Sequence, residues 1–395
     1  MSILLFLLAA AAGGAATQNR MSSSASTYEY SSNASSGPLP VAQLRQAIAA
    51  TRAAPKSAHE TQSPLWDVVL SRKLSSTAGE EGLWIAFPLP SAEHADADDC
   101  DAPLLRCVAQ VIPDNASAPT KSRRVQINLF HRISNSGSAN ANHSSDSSDT
   151  ADDRIRDDVC SILNCAIQHM SPSTDDSQRI ALTFGSLERC LVPHVRDALL
   201  AADPGRCKRK FFSTFSSECG MWILEAGPDD DQNLPTLADQ SLSLPEGVVI
   251  RSLTQKDADL VHSCWEYRSD GSLEMIQRMI AMSEGGCVGV SVHGKLVSWM
   301  LRYLDGSIVM LFTNENYRRQ GYAAIVVRGA VCDIRTKTRK HTCKSDGGSM
   351  EKERMISYIV DSNDASKSLY LKLGWRRVAD ADWVGFASRQ PNHSS

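Results

Sequence analysis

The segment NENYRRQGYAA, Asn314 to Ala324, sets Arg318, Arg319 and Gln320 before Gly321, with the small residue Ala323 two places on and an apolar periodic stretch beyond. A strand ending near Thr313, a short loop and a helix starting near Gly321 would turn unpaired backbone N–H groups and the positive end of the helix dipole toward one point. Such a point suits a pyrophosphate. Gly321 lets the backbone approach an anion closely, Ala323 keeps the next turn small, and the arginines add charge-assisted hydrogen bonds. A solvated charged turn can carry the same residues, so the elements around the segment decide between the two.

Those elements are readable. "GVVIRSL" has the pattern of a strand, and Thr254 with Asp257 makes a capping-box-like start for a helix reaching about Tyr267. A second helix is expected from Ser272 to Ser283. "CVGVSV", "KLVSWMLRY" and "SIVMLFT", separated by His293-Gly294 and Asp305-Gly306 turns, form an antiparallel meander. Then come a helix over Tyr322–Lys337, the strand "MISYIV", a helix over Ala365–Leu373 and the strand "WVGF". The arginine-rich loop therefore falls between a strand and an amphipathic helix, where an anion cradle belongs.

Upstream, "LWIAFPL", "RRVQINLF", a helical stretch over Ile155–Met170, "RIALTF", a second over Leu187–Ala201 and "CGMWIL" read as an α/β or α+β domain without a chemical motif. The run "RCKRKFF", Arg206 to Phe212, reads as the solvated rim of a strand. The boundaries expected are a leader and polar segment over 1–38, an N-terminal domain over 39–226 with a disordered insertion at 134–153, and a linker over 227–246 with three prolines and an acidic run. A C-terminal domain over 247–390 and a tail over 391–395 follow.

A chain of 395 residues that is 42% hydrophobic and 22% charged, with net charge −4, has no global basic field for nucleic acid. Eleven cysteines without a Cys-x-x-Cys pair, and ten histidines without ligand spacing, point to reduced thiols and no metal. "GVSVHG" does not satisfy the Gly-x-Ser-x-Gly elbow of hydrolases. The apolar run Ile3–Ala16 is too short to span a bilayer but has the length of a signal-peptide core, although no Lys or Arg precedes Arg20. The Asn-x-Ser triplets at Asn33, Asn115, Asn142 and Asn392 would suit export.

A second signature, "DSNDASKSLYLKLGWRRV" from Asp361 to Val378, stands downstream of the loop. With "LFTNENYRRQGYA" it makes the stretch Val248–Phe386 resemble the GNAT superfamily of acyl-coenzyme A dependent N-acyltransferases. More particularly, it looks like the glycine N-acyltransferase family, whose members carry an additional degenerate domain of similar type in front. The resemblance implies a GNAT fold of α/β (α+β) class, a mixed central sheet flanked by helices, preceded by a degenerate GNAT-like α/β domain.

It also implies acyl-CoA, as acetyl-CoA or a longer thioester, and a small-molecule amine or amino acid as acceptor. Arg318, Arg319, Gln320, Gly321, Tyr322 and Ala323 would cradle the coenzyme A phosphates. Phe312 and Thr313 would offer backbone groups to the pantetheine and the acyl carbonyl, where an N–H stabilises developing oxyanion charge. Asn363 would touch the pantetheine and Tyr370 would protonate the departing thiolate. Plainer roles compete: Asn363 as a helix cap and Tyr370 as a half-buried core aromatic. The doublet Trp265-Glu266 would either line an acceptor pocket or be a core tryptophan beside a surface acid, the plainer reading.

The sequence departs from the family at Ser307, where glycine-acylating members carry a glutamate proposed as base. Serine does not deprotonate an ammonium unaided, so Asp305, Glu315 or a water relay would substitute. Glu315 also stands where many family loops have proline, and "RKHTCKSDGGSMEKER", 339–354, reads as an inserted exposed loop. Other readings are a GNAT enzyme acting on a protein or another amine, and a coenzyme A-binding module without turnover. Use of acyl-CoA points to mitochondrion or cytosol, with a secretory leader as the alternative.

Overall fold

The architecture is that of a computed structural model, which describes residues 83–88, 105–113, 122–131, 155–163, 179–200, 210–225, 237, 244–268, 272–283, 285–303, 305–342 and 354–388. The 1–38 segment, the 134–153 insertion, the four sequons, the 391–395 tail, and most of 206–209, 227–246 and 339–354 lie outside the described residues. The described chain forms two compact units. Residues from Leu83 to Thr214 and from Val384 to Ser388 make one, and Phe215 to Trp383 the other.

In the first unit β1 (Leu83–Pro88), β2 (Leu105–Pro113) and β3 (Ser122–His131) run antiparallel, and β4 (Arg179–Glu188) lies parallel to β3. A helix over 155–163 (α1) links the parallel pair, with Ile155, Val159, Ile162 and Leu163 on one buried stripe at helical spacing. That stripe and the alternating Val125, Ile127 and Leu129 of β3 share one core. A 3-10 turn at Arg189–Leu191 and helix α2 (Val192–Leu200) follow β4. β2 and the strand β5 (Phe211–Ser217) were not among the expected elements. β5 buries Phe211, Phe215 and Ser217 with exposed Ser213 interrupting that face, and its residues from Phe215 on belong to the second unit.

In the second unit β6 (Cys219–Leu224) is followed by β7 (Val248–Ser252), a 3-10 turn at Gln255–Asp257, α3 (Ala258–Cys264), α4 (Ser272–Met282), β8 (Val288–Val292) and β9 (Lys295–Arg302). Then come β10 (Ile308–Thr313), α5 (Tyr322–Thr342), β11 (Met355–Val360), α6 (Asp364–Lys372) and β12 (Arg376–Ser388). The strand order is β7-β8-β9-β10-β11-β6-β12, antiparallel except for β10 with β11. This is the mixed sheet flanked by helices that the resemblance implies.

Helix α5 continues past the expected Lys337 to Thr342 and presses Val326, Val327, Ala330, Val331 and Ile334 onto Ile250, Val288, Val290 and Met300. It approaches closely because Gly329 has no side chain: a Cβ there would overlap Ile250.

Two strands cross the boundary read from composition. β6 precedes the 227–246 segment, yet pairs with β11 on one side and β12 on the other. β12 in turn gives its last residues to the first unit, where Phe386 meets Phe184 edge-on at 6.0 Å and Ile180 N donates to Ser388 Oγ at 2.9 Å. The units thus divide at Phe215 and Val384, because strand pairing sets them and a Pro-rich composition does not report pairing.

Among the described residues no helix is long and apolar enough to cross a membrane, and no group of three or more His, Cys, Asp or Glu could hold a metal ion. The seven described cysteines are free thiols.

Candidate functional site

β10 and β11 share a single registered pair, Ile308 with Ser357. On its other side β10 loses register with β9 between Val309 and Phe312, and Met310 between them has φ 55°. A left-handed conformation costs a non-glycine residue about 1–2 kcal/mol, and a bulge of this kind re-aims the strand. Ser298 restores the ladder beyond it, with Oγ 2.8 Å from the Phe312 carbonyl and 2.9 Å from Thr313 Oγ1, and Trp299 stacks on Phe312 at 4.4 Å. A cleft of about 380 Å³ opens here, lined by Val309 to Phe312 of β10 and Ser357 to Val360 of β11.

After β10, Asn314 caps the 3-10 turn Glu315–Tyr317, its Oδ1 accepting from Asn316 N at 3.1 Å. Arg318 folds back, Nε donating to the Thr313 carbonyl at 3.2 Å, and its guanidinium lies 3.5 Å from Glu315. Both partners of that ion pair are exposed, so it contributes little. Arg319 at φ 65° and Gly321 at φ 86° turn the loop into α5. A Cβ built on Gly321 would meet no atom within 4 Å, so the backbone borders open space where α5 begins. The first amides of α5, at Tyr322 and Ala323, have no partner within the helix. Exposed Arg318, Arg319 and Gln320 surround this corner. Amides, a helix N terminus and two guanidinium groups around open space fit a pyrophosphate.

Tyr370 comes from α6 and is 2% exposed. Its hydroxyl is 3.2 Å from Ser357 Oγ, which is 2.8 Å from the Ile308 carbonyl. One serine proton serves one of these oxygens at a time; when it goes to the carbonyl, which only accepts, the phenol keeps its own proton for Ser357 or the cleft. Burial pushes the phenol up to about 12, with the Ser357 hydrogen bond pulling the other way. Asn363 caps α6, its Oδ1 accepting from Ser366 N at 3.0 Å, and also lines the cleft.

Ser307, 2% exposed, lines the cleft as well, and both its amide and its hydroxyl donate to Asp305 Oδ1, at 2.9 Å and 2.5 Å. Gly306 at φ 82° makes the tight turn that brings the two together. Of the residues singled out in the sequence, Ser307, Phe312, Arg318, Asn363 and Tyr370 therefore meet at one cleft. Asp305 reaches it through Ser307. Thr313, Arg319, Gln320, Gly321, Tyr322 and Ala323 are not in its walls; they belong to the end of β10, the loop and the first turn of α5.

The structure corrects the plainer reading of Trp265-Glu266. Trp265 is not a core residue but a half-buried wall of the cleft, with Glu266 and Tyr267 beside it. The turn that carries them is anchored from the start of α3, where Arg251 and Asp257 form a two-pronged pair with both contacts at 2.8 Å and Asp257 also accepts from Thr254 N at 2.7 Å. Burial works against the Asp257 charge, yet the Arg251 and Thr254 hydrogen bonds outweigh it and hold the carboxyl below its ordinary value. His262 Nε2, 2.9 Å from Ser272 Oγ, ties α3 to α4. Tyr303, Tyr358 and Trp383 also line the cleft. No local signal marks them, because they come from three segments distant in sequence: the end of β9, β11 and β12.

Residues 286–344 match the family model of the FR47-like protein. No curated protein matches the chain. Among solved structures, a Drosophila protein has TM-score 0.48 and 13% identity, covering 89% of this chain and 97% of its own. A tandem GNAT protein from the clavulanic acid biosynthesis pathway has TM-score 0.41 and 13% identity, over 91% and 99%. A putative GNAT-family acetyltransferase from Novosphingobium aromaticivorans has TM-score 0.34 and 16% identity, over 56% and 79%.

Proposed function

We propose that this chain is an acyl-CoA-dependent N-acyltransferase that acylates a small-molecule primary amine, amino acids included, in the cleft between β10 and β11. The observation that carries this reading is the splayed, bulged β10 leading directly into the open cationic corner at Gly321. Coenzyme A, when bound, supplies the acyl group as a thioester. Arg318, Arg319 and the amides of Gly321 to Ala323 would hold its phosphates, and Asn363 would contact its pantetheine.

The bulge at Met310 and Leu311 offers backbone N–H groups to negative charge growing on a carbonyl oxygen. Ser307, backed by Asp305, is a proton path out of the cleft. The amine lone pair forms the N–C bond and the C–S pair leaves on sulfur. Of the two protons an ammonium loses on becoming an amide, one ends on the thiol through Tyr370 and one leaves through Ser307 and Asp305 to water. A free thiol ionises near 8.5 and the buried phenol near 12, so proton donation to the sulfur is uphill in water. Burial of the sulfur raises its basicity too and narrows that gap.

Incubating the full chain with acetyl-CoA or benzoyl-CoA and a panel of amines tests the reading through thiol release. Release that depends on an amine is expected. Coenzyme A binding without release for any amine would reduce the protein to a binding module.

A further inference from the structure

The cleft has two unlike faces. Successive strand residues point to opposite sides, so Ser357, which meets Tyr370, and Tyr358, which meets Trp383 edge-on at 6.3 Å, look to opposite sides of the sheet. Val360 shares the Tyr358 side, and so does Cys219, its partner on β6. Cys219 lines the cleft, and the turn after α3 closes the same cleft through Trp265, Glu266 and Tyr267. Among its walls are Trp265, Tyr267, Tyr358 and Trp383, with Trp265 and Tyr267 edge-on at 6.1 Å.

Glu266, exposed beside Tyr267, is the one carboxylate among the described residues lining the cleft. Among the described residues lining the cleft, the one Lys or Arg is Arg318, which belongs to the phosphate loop. Arg268, nearest in sequence, is turned back onto α3, its Nη1 donating to the carbonyls of Trp265 at 3.1 Å and Ser263 at 3.4 Å.

We infer that the acceptor is an arylalkylamine, a primary amine carried on an aromatic group and lacking a carboxylate, with its ring between Trp265, Tyr267, Tyr358 and Trp383 and its ammonium at Glu266. The inference rests on the acyl-transfer reading and narrows its acceptor, from small-molecule amines with amino acids included to those without a carboxylate. Ring faces attract both rings and cations. An amino acid would bring its carboxylate beside Glu266, and among the described residues no Lys or Arg lines the cleft next to it to offset the repulsion.

The test compares 2-phenylethylamine and tryptamine with phenylalanine, tryptophan and glycine on the full chain. Binding is read by titration calorimetry, and kcat/KM by thiol release with acetyl-CoA and benzoyl-CoA. The amines should bind at least about tenfold more tightly than their carboxylated twins and exceed them about 100-fold in kcat/KM. Glu266→Gln should shrink the ratio between phenylethylamine and phenylalanine about tenfold, since the repulsion leaves with the charge; a merely structural role would leave that ratio unmoved.

Equal or tighter binding of the amino acids overturns the inference whatever the turnover. Turnover of glycine without turnover of arylalkylamines overturns it while leaving acyl transfer standing. No release with any acceptor overturns both.

Discussion

The two parallel strand pairs of this chain, β3 with β4 and β10 with β11, share one local plan and part ways in what they enclose. Each follows antiparallel neighbours and is linked by a helix. β3 and β4 hold register over six pairs, from Ser122 with Arg179 to Ile127 with Phe184, and β3 keeps unbroken register with β2. β10 and β11 share one pair, and β10 slips against β9 across Met310. The zipped pair buries Ile127, Leu182 and Phe184 as core. The parted pair leaves a cleft.

Charge follows the same division: the start of α1 mixes Asp157 and Asp158 with Arg156, after Asp152, Asp153 and Arg154 in sequence, whereas Arg318 and Arg319 precede α5 with no acid between them and the helix. The first has no excess of positive charge and the second attracts an anion. The helix after β4, α2, contains no tyrosine, and the helix after β11 carries Tyr370. A fold of this plan thus becomes a candidate site only where bulge, splay, cationic loop and phenol coincide.

Removing the phenol is the change with the largest expected effect. Tyr370→Phe should lower kcat for thiol release about 10²–10⁴-fold with coenzyme A affinity kept. A loss under about threefold would make Tyr370 a core aromatic and erase one of the four differences. Gly321→Val comes next. Its Cβ meets nothing, so the cost is conformational, about 1–2 kcal/mol for a left-handed residue. Because the exposed loop can relax out of that conformation, global stability should change little, and restoring it around the phosphates should weaken coenzyme A binding roughly tenfold by titration. Unchanged binding would mean that the loop backbone does not shape the corner.

The smallest effect belongs to the zipped side. Burial pushes Glu188 up to about 7, with its Cys190 contact pulling the other way. A carboxyl raised in the folded state gives stability that is present below its ordinary value of 4.5 and lost as the pH rises through about 7. Glu188→Gln has no charge to bury, so its Tm should exceed that of the unaltered protein by roughly 2–4 °C at pH 8 and not at pH 5, with transfer kinetics unchanged. Altered kinetics would show that the first unit takes part in the reaction.

Much of the second unit was legible in sequence. The helices over Tyr322 and Asp364, the meander strands and the Thr254 capping box follow from periodicity and turn residues, and the cationic loop from its place between strand and helix. The bulge was not legible, because "IVMLFT" is an unbroken apolar run and nothing in it marks Met310 for a left-handed backbone. Of the aromatic side only Trp265 stood out in sequence, as a candidate for the acceptor pocket; Tyr303, Tyr358 and Trp383 meet it only after the sheet has formed. Linker composition could not show β6 pairing with β11, since a strand carries no local record of its partner.

Titrating coenzyme A by calorimetry into the full chain and into Arg318→Ala/Arg319→Ala tests the contrast between the two strand pairs most directly. The account predicts one site per chain, and affinity at least about tenfold lower in the double variant. Two sites per chain, or equal affinity for both proteins, would contradict it.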